Sequence, residues 1–461
     1  MKYISTRGKA PELGFENVLL SGLASDGGLY IPKNWPAIKY QDLPDGPYYE
    51  KAAFVIHPFV EDFLDYEQLK ILTKKAYINF PQDDAAPLKE IEEGNFLLEL
   101  FHGPTHAFKD FAMLLLAEFF EVSLKKRNQK ITILGATSGD TGSAAIEAFK
   151  NSEFANVFIL FPKGRVSERQ RKQMTTVTSS NVYPIEVNGT FDDCQSLVKS
   201  LFENLEFKNN TNLAAINSIN WARVVAQIVY YFTSYQKLNS KQISFSVPTG
   251  NFGDILAGWV AKKMGLPVDK LIVATNDNDI LHRAIARGDY FQEEVKATIS
   301  PSMDIQISSN FERLLFEALK RDSEELNRLI DKLNAEKGFK INSSSLEFIR
   351  NDFTSGKATE KDISKTIKEI YDSSGVVLDP HTAVGFFASK DKIDNKVPMV
   401  NLGTADPAKF PDAVIDAIGK EPEIPKSLSN ILKAEETFFK LEKNENNLIE
   451  FIEDKVSNRN D

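Results

Sequence analysis

The fold is decided by the stretch Ile131-Thr-Ile-Leu-Gly-Ala-Thr-Ser-Gly-Asp-Thr-Gly-Ser-Ala-Ala-Ile-Glu-Ala-Phe149. Its first part, Ile131–Leu134, is a short apolar run that predicts a buried strand. A glycine-containing loop, Gly135–Gly142, follows, and Ser143–Phe149 favours a helix. Because strands that alternate with helices build mostly parallel sheets, this stretch predicts an α/β fold.

The same order of strand, loop and helix recurs in both directions along the chain. Further strands are predicted at Val157–Phe161, Ile243–Val247, Leu271–Ala274 and Pro398–Val400. In parallel α/β sheets, ligands bind beyond the carboxyl ends of the strands. The loops that follow these strands are therefore the first places to search for a functional site.

The chain is long enough for several domains, since 461 residues exceed what a single core usually supports. We expect an N-terminal domain over 1–95, with a glycine turn at Asp26–Gly28. A smaller lobe is expected over 96–215 and a larger lobe over 216–461. The larger lobe is predicted to carry a charged helical insertion at about 300–370 and C-terminal helices.

Composition excludes several classes of function. Hydrophobic residues make up 42% and charged residues 26%, and the net charge is −10 with no basic block, which argues against nucleic-acid binding. No apolar run approaches ~20 residues and no signal-peptide core opens the chain, so we expect a cytoplasmic protein that does not bind membranes. The five histidines and the single cysteine, Cys194, show no metal-binding spacing, so no metal is expected.

One lysine stands at the mouth of a predicted helix. It is Lys109, in Phe101-His-Gly-Pro-Thr-His-Ala-Phe-Lys-Asp110, ahead of a helix predicted over Asp110–Arg127. Loss of water contacts and the positive end of the helix both favour its neutral amine. A neutral lysine amine is what a Schiff base with pyridoxal 5'-phosphate (PLP) requires. A solvated surface lysine is the commoner state at such a position, so the assignment depends on other loops.

A second loop, Thr249–Asp254, follows a predicted strand and opens the helix Ile255–Ala261. Its glycines allow backbone amides to converge on a phosphate at the positive end of that helix. A plain strand-to-helix turn is the alternative. The Walker and Rossmann glycine spacings are absent from the chain, so nucleotide binding gains no support.

Three more loops offer polar groups. Thr137–Gly142 could present amides and hydroxyls to a carboxylate, or could be a tight turn capped by Asp140 or Thr141. Pro162–Ser167 carries cations suited to an anion, although solvated surface charge is the alternative. The loop after the last strand carries Thr404, whose hydroxyl could point into the same crevice. Together these parts are what a PLP enzyme acting on a phosphorylated amino acid needs.

The chain resembles the threonine synthase family, in the long form with an N-terminal domain found in many bacteria and in fungi. Related PLP enzymes of the same fold usually carry Asn where this chain has Asp140, whereas this group of threonine synthases shows Asp. The resemblance runs nearly end to end, through Tyr3–Gly8, Gly22–Pro32, Phe101–Asp110, Ala136–Gly142, Asn217–Arg223, Thr249–Asp254, Ser302–Asp304, Ser309–Arg313, Asp379–Ala383, Leu402–Ala405 and Pro407–Pro411.

The resemblance implies the tryptophan-synthase-β-like PLP fold (fold type II), with two sheet lobes and an extra N-terminal domain. It implies that O-phospho-L-homoserine and water become L-threonine and phosphate, in the last step of threonine biosynthesis. Lys109 would carry the cofactor and act as the base, Thr404 would face the pyridine nitrogen, and Asp140 would lie near the ring hydroxyl. The other implied contacts are Gly250, Asn251, Phe252, Gly253 and Asp254 for the cofactor phosphate, Thr137, Ser138, Gly139 and Thr141 for the substrate carboxylate, and Lys163, Arg165 and Ser167 for the substrate phosphate.

Two alternatives stay open at this point. One is another fold-type-II PLP lyase, such as a β-replacement synthase or a threonine dehydratase. The other is a catalytically silent threonine-synthase-like protein that binds a ligand and regulates or scaffolds. The oligomeric state is expected to be a monomer or a homodimer.

Overall fold

The computed structural model describes residues 1–238, 240–394, 396–457 and 459. Its strands are β1 (Tyr3–Ser5), β2 (Tyr30–Pro32), β3 (Leu88–Glu92), β4 (Asn95–Glu99), β5 (Ile131–Ala136), β6 (Ala155–Pro162), β7 (Val182–Asn188), β8 (Leu213–Ala214), β9 (Ile243–Pro248), β10 (Val268–Thr275), β11 (Asp289–Phe291), β12 (Gly338–Lys340), β13 (Phe353–Lys357), β14 (Met399–Gly403) and β15 (Phe439–Glu442).

The helices alternate with these strands over most of the chain. They are α1 (Phe15–Ser21), α2 (Tyr48–Val60), α3 (Tyr66–Ala76), α4 (Lys109–Arg127), α5 (Asp140–Phe149), α6 (Glu168–Thr175), α7 (Phe191–Glu203), α8 (Leu205–Thr211), α9 (Trp221–Leu238), α10 (Gly253–Lys263), α11 (Ile280–Arg287), α12 (Phe311–Ala318), α13 (Ser323–Glu336), α14 (Ser343–Asp352), α15 (Glu360–Ser374), α16 (Pro380–Ser389), α17 (Pro411–Ile418), α18 (Lys426–Lys433) and α19 (Glu445–Ser457).

The larger sheet has the order β13-β10-β9-β14-β4-β3. Its pairings are parallel except for the antiparallel pair of β3 and β4. Every residue of β9 is buried, as expected for a central strand covered on both faces. Because β9 and β14 are parallel neighbours, the loops that follow them, Thr249–Asp254 and Thr404–Asp406, emerge at the same edge of the sheet.

The smaller sheet has the order β15-β7-β6-β5-β8, and all of its pairings are parallel. All residues of β6 are buried, which explains its continuous apolar run. The strands predicted at Ile131–Leu134 and Val157–Phe161 are confirmed as β5 and β6. The α/β fold with two sheet lobes is therefore confirmed.

The N-terminal segment consists of the β1–β2 hairpin and helices α1 to α3. Tyr3 is fully buried, donates its hydroxyl to the Phe59 carbonyl at 2.6 Å and lies 6.2 Å from the Phe15 ring. Its ring centroid also lies 6.3 Å from Trp221 at the start of α9. This segment is therefore packed directly against the larger lobe.

Sheet membership differs from the predicted domain boundaries at two places, and the boundaries themselves stay a prediction. The boundary at residue 95 falls between β3 and β4, yet both strands belong to the larger sheet. The C-terminal strand β15 pairs with β7 of the smaller sheet, although the prediction placed it in the larger lobe. These assignments depend on hydrogen-bond pairing between strands that are distant in sequence. The local sequence pattern therefore does not predict them.

The range of the predicted helical insertion, about 300–370, contains a strand as well as helices. It contains helices α12 to α15, but β13 interrupts them and forms the edge strand of the larger sheet. The sequence of β13, Phe353-Thr-Ser-Gly-Lys357, has one apolar residue and so lacks a strand signal. In the part of the chain that the structure describes, no helix is both long and apolar enough to cross a bilayer.

Candidate active site

Lys109 is placed by a loop that is hydrogen-bonded to the end of β14. His106 adopts the left-handed backbone conformation, with φ of 56°, and its carbonyl accepts from the Asp406 amide at 3.1 Å. The Phe108 amide donates to the Thr404 carbonyl at 2.9 Å. Helix α4 then begins at Lys109, one residue before its predicted start. These bonds hold Lys109 beside Thr404 at the carboxyl edge of the larger sheet.

The Lys109 side chain is buried among charged groups from both lobes. Its Nζ lies 3.5 Å from Asp140 Oδ2 and 4.8 Å from the centroid of the Phe108 ring. Burial lowers the pKa of Lys109, the charge of Asp140 opposes this, and the charges of Lys409 and Arg223 lower the pKa further. The neutral amine is thus favoured, as a lysine that must form a bond to PLP requires.

Asp140 is the first residue of α5 and does not cap that helix, whose N-cap is Gly139. Its Oδ1 lies 2.7 Å from Lys409 Nζ and accepts from Gln170 Nε2 at 2.9 Å. Burial alone would raise the pKa of Asp140, but the charges of Lys409 and Lys109 outweigh burial and hold that pKa far below its usual range. Asp140 is therefore ionised in this site.

The hydroxyl loop of the smaller lobe is ordered by Thr137. Its Oγ1 accepts from the amides of Gly139 and Gly142, both at 2.9 Å. This use of Thr137 leaves Ser138 and Thr141, which are half-buried, as the available hydroxyls of the loop. Because Asp140 belongs to the loop and reaches Lys109, the structure brings the predicted carboxylate-binding loop to the lysine.

Two carbonyl groups of the glycine loop Thr249–Asp254 accept hydrogen bonds from residues outside the loop. The Gly250 carbonyl accepts from Ser308 Oγ at 2.7 Å, and the Asn251 carbonyl accepts from the Asn310 amide at 3.1 Å. Within the described ranges, no acceptor is hydrogen-bonded to the backbone amides of residues 250–254. These amides open α10, so they form the donor set that a phosphate needs.

Two residues of this loop have backbone requirements. A Cβ on Gly250 would lie 2.9 Å from the Ser302 carbonyl oxygen, so a larger residue would push the loop away from Ser302. Phe252 adopts the left-handed conformation, with φ of 62°, immediately before α10 begins at Gly253. Such strain is characteristic of functional loops, and here it aims the first amides of the helix.

The carboxyl group of Asp254 lies beneath this loop. Its Oδ1 accepts from the hydroxyls of Tyr230 at 2.6 Å and Tyr231 at 2.9 Å, whereas its buried Oδ2 has no partner among the described residues. Burial raises the pKa of Asp254 to about 6. These two hydrogen bonds therefore connect the start of α10 to α9.

Thr404 lies at the end of β14 and is buried. Its amide donates to Thr382 Oγ1 at 3.0 Å, and its own hydroxyl makes no hydrogen bond within the described part of the chain. In the same region, His381 Nε2 accepts from the Ser302 amide at 3.2 Å, and His381 Nδ1 lies 2.9 Å from Asp379. The Thr404 hydroxyl is thus free to bond to a group in the crevice.

The cationic loop is not gathered into this site. Lys163 and Arg165 are exposed, and Ser167 caps α6 by accepting from the Gln170 amide. Exposed cations interact mainly with water, so this loop lacks the enclosure that selective phosphate binding needs. The assignment of these residues to the substrate phosphate stays a prediction, and their exposure gives it no support.

A buried cation that sequence reasoning missed is Arg223, near the start of α9. Its Nη1 donates to the Ile216 carbonyl at 3.1 Å, its Nε has no partner, and no carboxylate of the described residues pairs with it. Burial lowers the pKa of Arg223 to about 10, and its charge acts on Lys109. The available signal was an arginine within the apolar start of α9, next to Ala222 and Val224. The motif Pro407–Pro411 contains a second buried cation, Lys409.

Comparisons with known proteins agree with this geometry. The family model described as "Threonine synthase N terminus" matches residues 2–77, "Pyridoxal-phosphate dependent enzyme" matches 86–400, and "Threonine synthase, C-terminal" matches 382–452. The threonine synthase of Pseudomonas aeruginosa is 47% identical over 443 residues, covering 95% of this chain and 94% of the relative.

Solved structures lead to the same assignment. The crystal structure of PLP-bound threonine synthase from Brucella melitensis is 47% identical, has a TM-score of 0.96 and covers 99% of each chain. The threonine synthase structure from yeast is 40% identical, has a TM-score of 0.94 and covers 99% of each chain. The predicted fold type and cofactor are confirmed, and this chain belongs to the threonine synthase family of PLP-dependent enzymes.

Proposed function

We propose that this protein converts O-phospho-L-homoserine and water into L-threonine and inorganic phosphate, with PLP bound through Lys109. The observation that carries the proposal is the position of Lys109. Its buried amine lies 3.5 Å from Asp140, and its loop is hydrogen-bonded to Thr404. The glycine loop at the same sheet edge offers free amides for a phosphate.

The residues present fit the cofactor. The amides of residues 250–254 would hold its phosphate, Thr404 would face its pyridine nitrogen, and Asp140 would lie near its ring hydroxyl. When bound, PLP withdraws electrons from the amino acid and makes the Cα proton acidic. A neutral threonine hydroxyl, unlike a carboxylate, would leave the pyridine nitrogen largely unprotonated and so moderate this withdrawal.

Lys109 supplies the proton transfers. Its neutral amine can take the proton from Cα of the substrate and can then shuttle protons at Cβ and Cγ. Loss of a proton from Cβ accompanies departure of phosphate from Cγ, a proton is returned at Cγ, and Cα is reprotonated after water has added at Cβ. Ser138 and Thr141, with the amides at the start of α5, would hold the substrate carboxylate. Water has to be excluded until it adds at Cβ, so the two lobes would close over the site before the first proton transfer.

Arg223 is the side chain that we assign to the substrate phosphate, in place of the exposed loop at 163–167. Its guanidinium is buried, acts electrostatically on Lys109 and has a donor, Nε, without an acceptor among the described residues. A phosphate that accepted from it would form charge-assisted bonds worth about 1.5–3 kcal/mol each. Such contacts would favour phosphohomoserine over unphosphorylated homoserine and would stabilise the departing phosphate.

Substitution of one arginine at each of the two candidate phosphate sites tests this assignment. Arg223→Ala should reduce kcat/KM for phosphohomoserine by about 100-fold or more, whereas Arg165→Ala should change it less than about twofold. Both variants should keep the visible absorption of bound PLP. The reverse ranking would return the substrate phosphate to the cationic loop.

The reaction itself is tested by incubating the PLP-loaded protein with phosphohomoserine and measuring threonine and phosphate together. Equal amounts of the two products are expected. Phosphate release with a 2-oxo acid in place of threonine would indicate a different PLP lyase. PLP binding without any turnover would indicate a silent ligand-binding relative.

We also propose that the enzyme acts in the cytoplasm as a monomer or homodimer. The support is its small-molecule biosynthetic substrate and the composition of the chain. Light scattering on the purified protein would give the oligomeric state, and a peak at the mass of a tetramer would contradict the proposal.

A further inference from the structure

The site contains a second buried lysine. Lys409 lies in the short 3₁₀ turn Pro407–Lys409 after β14, and its side chain is fully buried. Its Nζ lies 2.7 Å from Asp140 Oδ1 and donates to the Thr105 carbonyl at 2.8 Å. Lys409 therefore connects the carboxylate of the smaller lobe to the loop that presents Lys109.

Two buried amines share one carboxylate here. Asp140 lies 2.7 Å from Lys409 and 3.5 Å from Lys109, through different carboxylate oxygens. An ion pair strengthens as its separation falls, and a buried ammonium without a close partner is costly. Lys409 is thus the closer partner of Asp140, and Lys109, whose pKa is lowered by burial, is left with the longer and weaker ion pair.

We propose that Lys409 is a positioning residue for Lys109. By holding Asp140 as its own ion-pair partner, Lys409 prevents that carboxylate from fixing Lys109 as an ammonium. Lys109 is thereby left as a neutral nucleophile for PLP. The inference rests on the proposed role of Lys109, and it adds a residue that acts through Asp140 without any need to touch the cofactor.

The groups that face Lys109 agree with this role. They are Asp140 of α5, Arg223 of α9, Asp254 of α10 and Lys409 itself. Burial lowers the pKa of Lys109, and Asp140 is the carboxylate that opposes that direction. Asp254 is engaged by two tyrosines, so Asp140 is the carboxylate whose availability Lys409 controls.

The test is the pH profile for covalent bonding of PLP to the full-length chain freed of cofactor, followed by visible absorbance. Lys409→Met should raise the pH midpoint of bonding by about one unit or more, because Asp140 then pairs with Lys109. Lys409→Arg should restore a midpoint close to that of the parent. An unchanged or lowered midpoint in folded Lys409→Met would overturn the proposal.

A second variant covers the case in which Lys409→Met does not fold. Asp140→Asn keeps both amines and removes the carboxylate, so its midpoint should fall below that of the parent. An unchanged midpoint in Asp140→Asn would also overturn the proposal. Failure of the proposed function is distinguishable, since PLP would then bond covalently to Lys109→Ala as well as to the parent.

Discussion

The loop 137–142 of the smaller lobe and the loop 249–254 of the larger lobe each follow a buried parallel strand and lead into a helix with an aspartate in its first turn. Asp140 is paired with Lys409, and its pKa lies far below the usual range. Asp254 is bonded to two tyrosines and forms no ion pair among the described residues, and burial raises its pKa to about 6.

The difference shows that residues far away in the chain decide what such a loop does. A cation from residue 409 makes the loop of the smaller lobe an ionised anchor beside Lys109. In the larger lobe, bonds from Ser308 and Asn310 occupy the loop carbonyls and leave its amides as the groups available to an anion. One loop therefore sets the charge on the lysine, and the other is built to hold a phosphate.

The largest expected effect comes from the amine near both loops. Lys109→Ala should reduce turnover by about a thousandfold or more, since it removes the base for each proton transfer. PLP should still bind without a covalent bond, because the amides of the glycine loop are unchanged. Steady-state kinetics with a cofactor titration check both points, and turnover close to that of the parent would contradict the mechanism.

A smaller effect is expected at the glycine loop Thr249–Asp254, the cradle for the cofactor phosphate. Gly253→Val should weaken PLP binding by more than about tenfold, or roughly 1.4 kcal/mol, if the Gly253 amide approaches the cofactor phosphate. A Cβ at Gly253 would lie 3.5 Å from Asn310 Nδ2 and farther from its other neighbours, so Gly253→Ala fits the protein itself.

Gly385→Ala is the matched control for this cradle. A Cβ at Gly385 would lie 3.4 Å from the Pro248 ring, which is ordinary contact in a helix outside the cradle. Fluorescence titration with PLP should show weaker binding for both Gly253 variants and an unchanged affinity for the control. Equal affinities in all four proteins would place the cofactor phosphate elsewhere.

The third prediction concerns stability and distinguishes the two aspartates. The pKa of Asp254 is raised from 3.8 to about 6, so its contribution to stability is complete below about pH 4 and is lost as pH rises through about 6. Asp254→Asn removes this dependence. Between pH 4 and pH 8, the free energy of unfolding of the variant should rise by up to about 3 kcal/mol relative to that of the parent.

Denaturant unfolding of the cofactor-free proteins at several pH values measures that difference. Asp110 and Asp406 also have raised pKa values, but they are present in both proteins and cancel in the comparison. A difference in the free energy of unfolding that does not change with pH would show that Asp254 titrates normally.

The parts of the site that sequence could predict are those that the local backbone creates. The loops at Thr137–Gly142 and Thr249–Asp254 and the lysine at the start of α4 follow from glycine position, strand runs and helix starts. The edge strand β13 and the C-terminal β15 could not be predicted, because distant pairing partners stabilise them. Tertiary pairing outweighed local pattern at both places.

Charged groups were harder to assign than the backbone. Lys163 and Arg165 resemble a phosphate site in sequence and are exposed in the structure, whereas Arg223 and Lys409 are buried beside the lysine. Burial depends on how whole helices and sheets pack together. The local sequence pattern therefore does not distinguish an exposed cation on a loop from a buried cation in the core. The resemblance motifs contained both buried residues, but only the structure assigns them partners.

The central claim is that the amine of Lys109 carries the cofactor. It is tested most directly by reducing the PLP-loaded protein with borohydride, digesting it and locating the modified lysine by mass spectrometry. The account predicts that the phosphopyridoxyl group is found on the peptide that contains Lys109, and that Lys109→Ala yields no stoichiometric label. A label on Lys409 or another lysine, with Lys109 unmodified, would contradict it.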